Sequence, residues 1–157
     1  MNLTILPGKT SPLGATVSPE GVNFCLFSTN ADKIELLLFA EPLDQFPQQS
    51  ITLLPEIHKT FNFWHVFVKG ITVGQIYAYR VYGQHQPDKG QRFDGSKVIL
   101  DPYARAIVGQ EIYNRDLAIE PGNNCANALR AVVIDPNNYD WEEDQPLNRE
   151  YTKTVIY

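Results

Sequence analysis

The first chemistry that the side chains suggest is acid–base catalysis by paired carboxylates. Glu142 lies next to Glu143, and Asp135 lies close to Asp140. Two carboxyl groups can cleave a glycosidic bond when one of them sits in a pocket that raises its pKa and keeps it protonated. These acids fall in or beside the polar stretch 137–149, where water would keep both members of a pair ionised. We therefore expect a solvated run of charge and assign no catalytic residue.

Histidine and cysteine side chains do not form a recognisable metal or nucleophile motif. His58, His65 and His85 lack the close spacing of zinc ligands, so we expect them to be structural or solvent-facing. Cys25 and Cys125 have no metal-type spacing either and are expected to be inert free thiols. The sequence therefore predicts no metal site and no cofactor.

Aromatic side chains are the more informative signal. The rings considered are those of Trp64, Tyr77, Tyr79, Tyr82, Phe93, Tyr103 and Trp141. Sugar rings stack on flat apolar faces, while nearby amides and acids bind their hydroxyl groups. The candidates for carbohydrate binding are Trp64, Tyr79 and Tyr82. Packing in a core or an interface is the competing interpretation, and it is the preferred one for Trp64 and for the alternating pair Tyr77 and Tyr79.

Short apolar runs separated by turn residues are the elements that must position these side chains. They are rich in β-branched and aromatic residues, which favour strands. The strand-like segments are 21–30, 33–42, 50–56, 62–70, 75–83, 97–109 and 128–136, and short helical turns are expected at 113–118 or 124–130. We expect 21–30 and 33–42 to pair as a hairpin, and 62–70 and 75–83 to pair as a second one. The pattern predicts an all-β fold, an antiparallel β-sandwich.

The bulk composition excludes several classes of protein. The chain has 157 residues, which suggests one domain with a core of its own. Its 13 basic and 18 acidic residues give a net charge of -5 with no basic cluster, so we expect no nucleic-acid partner. It has no apolar run long enough to span a bilayer and no secretory leader pattern at its start, so we expect no membrane association and a cytoplasmic location.

Three stretches carry a resemblance to a known family. They are "PLGATVSPEGVNFCLFSTNADKIELLLF" (12–39), "WHVFVKGITVGQIYAYRVYGQHQPDKGQRFDGSKVILDPYARAI" (64–107) and the closing "YDWEEDQP…TKTVIY". Together they closely resemble the N-terminal portion of glycogen-debranching and isoamylase-type enzymes of the α-amylase superfamily. The resemblance implies an immunoglobulin-like β-sandwich of the carbohydrate-binding-module type.

The resemblance also implies a domain organisation. Residues 1–136 are expected to form the sandwich, 137–150 a linker, and 151–157 the first strand of a (β/α)₈ barrel that needs about 250 residues. In the family, that barrel hydrolyses α-1,6 branch linkages in glycogen-like glucans. We therefore expect this chain to be an inactive fragment of a glycoside hydrolase, with the catalytic residues of the intact enzyme beyond Tyr157.

Residues that match the family motifs are candidates for docking against the barrel. They are Arg92, Phe93, Asp101, Tyr103, Arg105 and Trp141. In the wider group of glycogen-binding modules, binding members tend to carry a Lys between the two aromatics of the Y-x-[YF] strand and a Trp in the following loop. Here Ala78 takes the place of that Lys, and the loop 83–90 contains no Trp. This departure disfavours direct glucan binding through that strand.

Three hypotheses follow from these observations. The first is a structural and substrate-positioning module of a debranching hydrolase, with its own barrel as main partner and weak or indirect contact to α-glucan. It predicts a broad apolar patch around Phe93, Tyr103 and Tyr157, because large exposed patches mark surfaces that are covered by a partner. The second is an autonomous glucan-binding module with an exposed ring at Trp64, or the same module from an isoamylase, trehalose-pathway or branching relative. The third is a small self-contained enzyme, for which the sequence offers no converging carboxylates.

Overall fold

The computed structural model describes residues 3–156, and these residues form a β-sandwich with an additional covering layer. The strands are β1 (Thr4–Pro7), β2 (Gly14–Ser18), β3 (Gly21–Phe27), β4 (Ala31–Phe39), β5 (Gln49–Leu53), β6 (Lys59–Thr60), β7 (Phe63–Lys69), β8 (Ile76–Gly83), β9 (His85–Gln86), β10 (Gln91–Arg92), β11 (Ile107–Val108) and β12 (Arg130–Val132). The α-helices are α1 (Pro55–His58) and α2 (Arg115–Ile119), and 3₁₀ turns span Pro87–Lys89, Cys125–Asn127, Pro136–Asn138 and Tyr151–Lys153.

Two antiparallel sheets pack face to face. The first sheet has the order β2–β3–β7, with β1 and β6 both paired to the far edge of β7. The second sheet has the order β5–β4–β8–β12–β11, and β9 pairs with β10 as a separate small hairpin. The predicted all-β, immunoglobulin-like antiparallel sandwich is therefore confirmed.

Both predicted hairpins are wrong, although their strands exist. β3 lies in the first sheet and β4 in the second, and β7 and β8 are divided in the same way. Each connection therefore crosses the edge of the sandwich instead of turning back within one sheet. The physical reason is that a core needs apolar side chains from two opposing layers. Alternation along a strand shows which residues are buried, but not which strand lies beside it.

The core between the sheets contains the largest aromatic side chains of the strands. Trp64 of β7 and Tyr77 and Tyr79 of β8 are each 1% exposed. The Tyr77 ring meets Phe24 of β3 across the interface in an edge-to-face arrangement, with 4.9 Å between ring centroids. Such pairs stabilise a core beyond the area that they bury.

A second apolar cluster lies on the outer face of the second sheet. Leu37, Phe39, Ile76 and Ala78 form its floor, and residues 97–129, which we call the cover segment, lie over them. The cover contributes Val98, Cys125 and Ala128 to the cluster. β8 is therefore buried on both faces, as Tyr77 is on one side and Ala78 on the other.

Two buried polar side chains fasten the cover segment. The Asn124 amide accepts a hydrogen bond from the Val98 N–H at 2.7 Å and donates one to the Val98 carbonyl at 3.1 Å. Arg130, which is 0% exposed, donates to the carbonyl oxygens of Pro42 at 2.7 Å, Cys125 at 3.0 Å, and Glu41 and Asp44. These bonds offset the cost of burying the polar groups.

The predicted strand at 151–157 is absent from its described part. Tyr151–Lys153 forms a 3₁₀ turn, and every residue from 136 to 156 is exposed. Tyr157 lies outside the described residues. β-Branched residues such as Val155 form a strand only when a neighbouring edge supplies backbone partners and a surface to pack on. No strand of the described residues pairs with this stretch.

The Asp101 carboxyl group links Tyr77, at the start of β8, to the backbone of Tyr103. The carboxyl group is 1% exposed, and it accepts hydrogen bonds at 2.8 Å from the Tyr77 hydroxyl and from the Tyr103 N–H. Burial raises the pKa of Asp101, and the bonds from Tyr103 and Tyr77 offset this rise only in part. The native state therefore holds this proton to a higher pH than the unfolded chain does.

Asp101 should consequently destabilise the fold as the pH rises. The unfolded side chain ionises near its usual pKa of about 3.9, while the buried one ionises later, so raising the pH through this window favours unfolding. We expect the stability of Asp101→Asn, which cannot ionise, to increase relative to that of the parent chain as the pH rises from about 4. Urea unfolding at several pH values measures the difference.

Asp94 supplies the control with the opposite sign. Hydrogen bonds from the Ser96 side chain and backbone lower the pKa of Asp94, so its ionised form stabilises the fold, and this contribution is lost as the pH falls. Asp94→Asn should lose stability relative to the parent chain as the pH rises towards the usual aspartate pKa of about 3.9, with little further change above it. Parallel pH profiles for the two variants would contradict this account.

Candidate functional site

Two of the three predicted sugar-stacking rings are enclosed in the core. Trp64 and Tyr79 are each 1% exposed, and the Trp64 indole N–H donates to the Ser28 carbonyl at 3.3 Å. The Lys59 ammonium lies 4.6 Å from the centre of the Trp64 ring. A ring that packs on protein atoms cannot offer a face to a sugar. The carbohydrate-binding prediction is therefore wrong for both residues, and the packing interpretation is confirmed.

The third ring, Tyr82, is half-buried and held by its own neighbours. Its hydroxyl donates to Glu35 at 2.8 Å, and the Lys33 ammonium lies 4.5 Å above the ring and 2.7 Å from the same carboxylate. Gly95 packs so closely on the ring that a Cβ there would overlap it. Partial burial favours a higher pKa for Glu35, but the hydrogen bonds from Lys33 and Tyr82 outweigh it and lower the pKa. The ring therefore serves the fold and is a poor platform for a sugar.

Tyr103 and Arg105 lie where the chain leaves the sandwich. With Ala15, Tyr77 and Ile134 they line a shallow surface depression beside the end of β12. Tyr103 is 42% exposed, and Arg105 is exposed. We call Tyr103, Arg105 and Ile134 the exit patch. Asp101 belongs beneath it, because its buried carboxylate positions the Tyr103 backbone but offers no surface of its own.

Arg92 and Phe93 lie at the opposite end of β8. Phe93 presses on Gly83, where an added Cβ would lie 2.7 Å from the ring, and both residues line a cavity of about 550 Å³. Phe93 and Tyr103 therefore line different depressions, although the cavity of Phe93 extends to Leu100 and Pro102 beside Tyr103. The third predicted member of their patch, Tyr157, lies outside the described residues.

Trp141 stands apart from both ends. Its side chain is 66% exposed and meets the Tyr139 ring edge to face, with centroids 4.9 Å apart. Of the nearby acids, Asp140, Glu142 and Glu143 are exposed and Asp135 is half-buried, and Asp135 and Asp140 cap turns by accepting the N–H of Asn137 and Glu142. The solvated charge run expected from the sequence is therefore confirmed.

Several exposed rings were missed by the sequence reasoning, among them Phe27 and Phe61. Phe27, at the end of β3, is 46% exposed and meets Phe63 edge to face at 5.4 Å. Phe61, in the two-residue turn between β6 and β7, is 89% exposed and has a φ of 52°. The alternation of β3 places residue 27 on the outer face of the first sheet and so gave a signal. A non-glycine residue at positive φ has no such signal.

Cysteine and metal chemistry receive no support from the geometry. Burial, with a smaller effect of the Asp101 charge, raises the pKa of the Cys25 thiol to about 11, and burial also raises the pKa of Cys125. Both thiols are free and resist forming the reactive thiolate. Over residues 3–156, no group of three or more His, Cys, Asp and Glu side chains could hold a metal ion. In the same range, no helix has the length and apolar character to cross a membrane.

Comparison with known sequences gives consistent relatives. The chain is 37% identical to the chloroplastic isoamylase SU1 of Zea mays, over 98% of this chain and 20% of that protein. It is 38% identical to a glycogen debranching enzyme of Serratia proteamaculans, over 98% of this chain and 23% of that protein. The chain thus spans about a fifth of the length of the curated relatives that it matches.

Solved structures agree on the fold. The glycogen-degrading pneumococcal virulence factor SpuA superposes with a TM-score of 0.57 at 21% identity, over 83% of this chain and 12% of SpuA. Pullulanase from Bacillus acidopullulyticus gives a TM-score of 0.52 at 21% identity, over 79% of this chain and 12% of that enzyme. Residues 12–104 match the family described as carbohydrate-binding module 48, the isoamylase N-terminal domain. The chain belongs to this family.

Proposed function

We propose that this chain is the non-catalytic N-terminal module of a glycogen-debranching enzyme. In this role it supports and positions a (β/α)₈ barrel that hydrolyses α-1,6-glucosidic branch linkages in glycogen-like glucans. The relatives named isoamylase and glycogen debranching enzyme, of which the chain matches about a fifth, support this assignment. Their remaining length is ample for a barrel of about 250 residues.

The covered face of the second sheet is the observation that favours a supporting role over autonomous glucan binding. Ala78 occupies the place where binding members of the wider group tend to carry a Lys, and it is 0% exposed beneath the cover segment. A glucan chain cannot reach this strand while Val98 and Ala128 lie over it. The module therefore lacks the open β8 surface that the autonomous role requires.

The exit patch is the surface that we assign to the barrel. Tyr103 and Arg105 are exposed next to Ile134, after which the chain leaves the sandwich. Tyr and Arg side chains are enriched among the residues that dominate interface energies. A domain attached by the following residues would meet this surface first.

Replacing Ala78 by Lys should damage the fold without creating a sugar site. The new ammonium group would lie under the cover segment, where its diagonal neighbour Glu35 already binds Lys33 and Tyr82. An unpaired buried charge costs about 3–5 kcal/mol. We expect Ala78→Lys to lower the free energy of unfolding by this amount, or to detach the cover segment. Urea unfolding measures the loss of stability. Hydrogen–deuterium exchange of the backbone amides of residues 97–129 measures the detachment of the cover segment.

Thr52→Lys is the matched control, because Thr52 is exposed on the same face outside the cover. Its stability should change by less than about 0.5 kcal/mol. An Ala78→Lys variant that keeps the parent stability and gains saturable maltoheptaose binding would favour the autonomous glucan-binding module instead.

The supporting role is tested by adding the chain to a separate barrel. We expect the chain alone to release no reducing ends from glycogen. Added in trans to the catalytic region of the Serratia proteamaculans debranching enzyme prepared without its matching N-terminal part, it should bind and raise the melting temperature of that region. Tyr103→Ala combined with Arg105→Ala should weaken this association at least about tenfold.

Tyr113→Ala is the control for that experiment, since Tyr113 is 44% exposed, close to the 42% of Tyr103, but lines the cavity of Phe93 and not the exit patch. It should leave the association unchanged. If the Tyr103 and Arg105 variant binds like the parent chain, or if the parent chain has no effect on the barrel, the proposed docking role is wrong.

A further inference from the structure

The strand β5 (Gln49–Leu53) forms a free edge of the second sheet. It pairs with β4 on one side, and no strand of the described residues pairs with its other side. We call this outward side the β5 edge. A strand edge of this kind offers unpaired backbone groups to any further strand.

Every second residue of β5 turns its backbone groups away from the sheet. In an antiparallel ladder, the N–H and C=O of one residue point to the same side, and successive residues alternate. Tyr79 of β8 exchanges two hydrogen bonds with Ile99, at 3.0 and 2.9 Å, so its backbone faces away from β4. Its partner Leu36 therefore faces β5, where it pairs with Ile51. The residues directly before and after Ile51 consequently point their N–H and C=O groups out of the sheet.

Ser50 and Thr52 are these outward-facing residues, and both side chains are exposed. Residues 45–55 contain no charged side chain, and β5 itself contains no proline. The pairing of β5 with β4 has no register shift. Natural edge strands are commonly protected by lysine, proline or a bulge. The β5 edge has none of these protections.

Other edges of the two sheets are shorter or obstructed. β11 and β6 have two residues each, and β1 ends at Pro7. At the start of β2, the Tyr103 backbone packs so closely on Gly14 that an added Cβ would lie 3.0 Å from the Tyr103 carbonyl oxygen. Within residues 3–156, β5 is therefore the edge best suited to pair with a further strand.

A second copy of the chain supplies a strand that fits the β5 edge. When two β5 strands pair antiparallel about a two-fold axis at Ile51, Ser50 of each copy lies opposite Thr52 of the other. Both residues point their backbone groups outward, so each of these pairs exchanges two hydrogen bonds. Cross-strand pairs of Ser and Thr are favourable, and no like charges meet. The β5 edge is therefore complementary to itself.

Exposed apolar side chains at both ends of β5 fit the same arrangement. Phe46, in the loop before β5, is 72% exposed, and Leu54 and Ile57, which follow the strand, are each 47% exposed. Antiparallel pairing brings the loop before one β5 next to the residues after the other, and the two-fold axis repeats this contact. Pairing would therefore cover apolar surface that the single chain leaves in water.

We propose that the chain forms a two-fold symmetric dimer by antiparallel pairing of two β5 edges. The second sheets of the two copies then make one continuous sheet. The exit patch stays free, because the order β5–β4–β8–β12 places β12 three strands away from β5, a distance of about 14 Å. The dimer goes beyond the barrel-supporting role and does not depend on it.

Sedimentation velocity and backbone amide hydrogen exchange of the 157-residue chain at rising protein concentration test the proposal. We expect a monomer–dimer equilibrium with a Kd of about 10–100 µM, because one short edge gives a small interface. The amides of Ser50 and Thr52 should gain protection several-fold as the dimer forms. The amide of Ile51, which faces β4, should be protected at every concentration.

Thr52→Pro removes one outward N–H, and proline is tolerated on an edge strand where the N–H faces solvent. This variant should stay folded and weaken dimerisation at least about tenfold. Thr52→Val is the matched control, because it keeps the N–H and the branched side chain. It should dimerise within about threefold of the parent chain.

An exchange of charges keeps the outcome independent of damage to the fold. A chain with Ser50→Lys and Thr52→Lys would place lysine opposite lysine, so it should remain monomeric. A chain with Ser50→Glu and Thr52→Glu should remain monomeric for the same reason. A mixture of the two chains should form a mixed dimer, because each lysine then lies opposite a glutamate.

Three results would overturn the proposal. They are a parent chain that stays monomeric up to about 1 mM, a dimer in which the amides of Ser50 and Thr52 gain no protection, and charged chains that form no mixed dimer. Tyr103→Ala combined with Arg105→Ala should dimerise like the parent chain. The dimer and the docking role of the exit patch are thus tested separately.

Discussion

The burial of both faces of β8 is the constraint on which the rest of the structure depends. Tyr77 and Tyr79 fill the space between the sheets, while Ala78 lies under Val98 and Ala128 of the cover segment. A sheet that is covered on both sides has no broad surface left for a partner. A partner therefore cannot reach the middle of β8 through either face of the second sheet.

The two ends of β8 carry different chemistry. The exit patch presents one tyrosine and one arginine above a buried carboxylate, close to the point where the chain leaves. The other end presents Phe27 and Phe93 in a cavity that Asp94, Arg92 and Lys97 also line. The first composition suits a protein surface.

The sequence predicted the positions of the main strands better than their arrangement. Alternation placed Trp64 correctly in a strand, and it correctly identified 21–30 and 33–42 as strands. Pairing was wrong because it depends on which layer opposes which, and no local pattern records this. The sequence could not decide whether Trp64 is buried or exposed, since the same residue type serves for packing in a core and for stacking on a sugar. The positive φ of Phe61 could not be predicted either, because a phenylalanine in the sequence does not indicate that backbone conformation.

Arg130 has a consequence for the order in which the chain assembles. Its guanidinium group binds the carbonyls of Glu41 and Asp44, which lie 89 and 86 residues earlier in the chain. Contacts over such separations form late, because a long loop must close before they gain anything. The turn near Pro42 is therefore fixed only after β12 is in place. A nick anywhere in the cover segment would slow the formation of both the turn and β12. Protease sensitivity of these two distant stretches should rise and fall together.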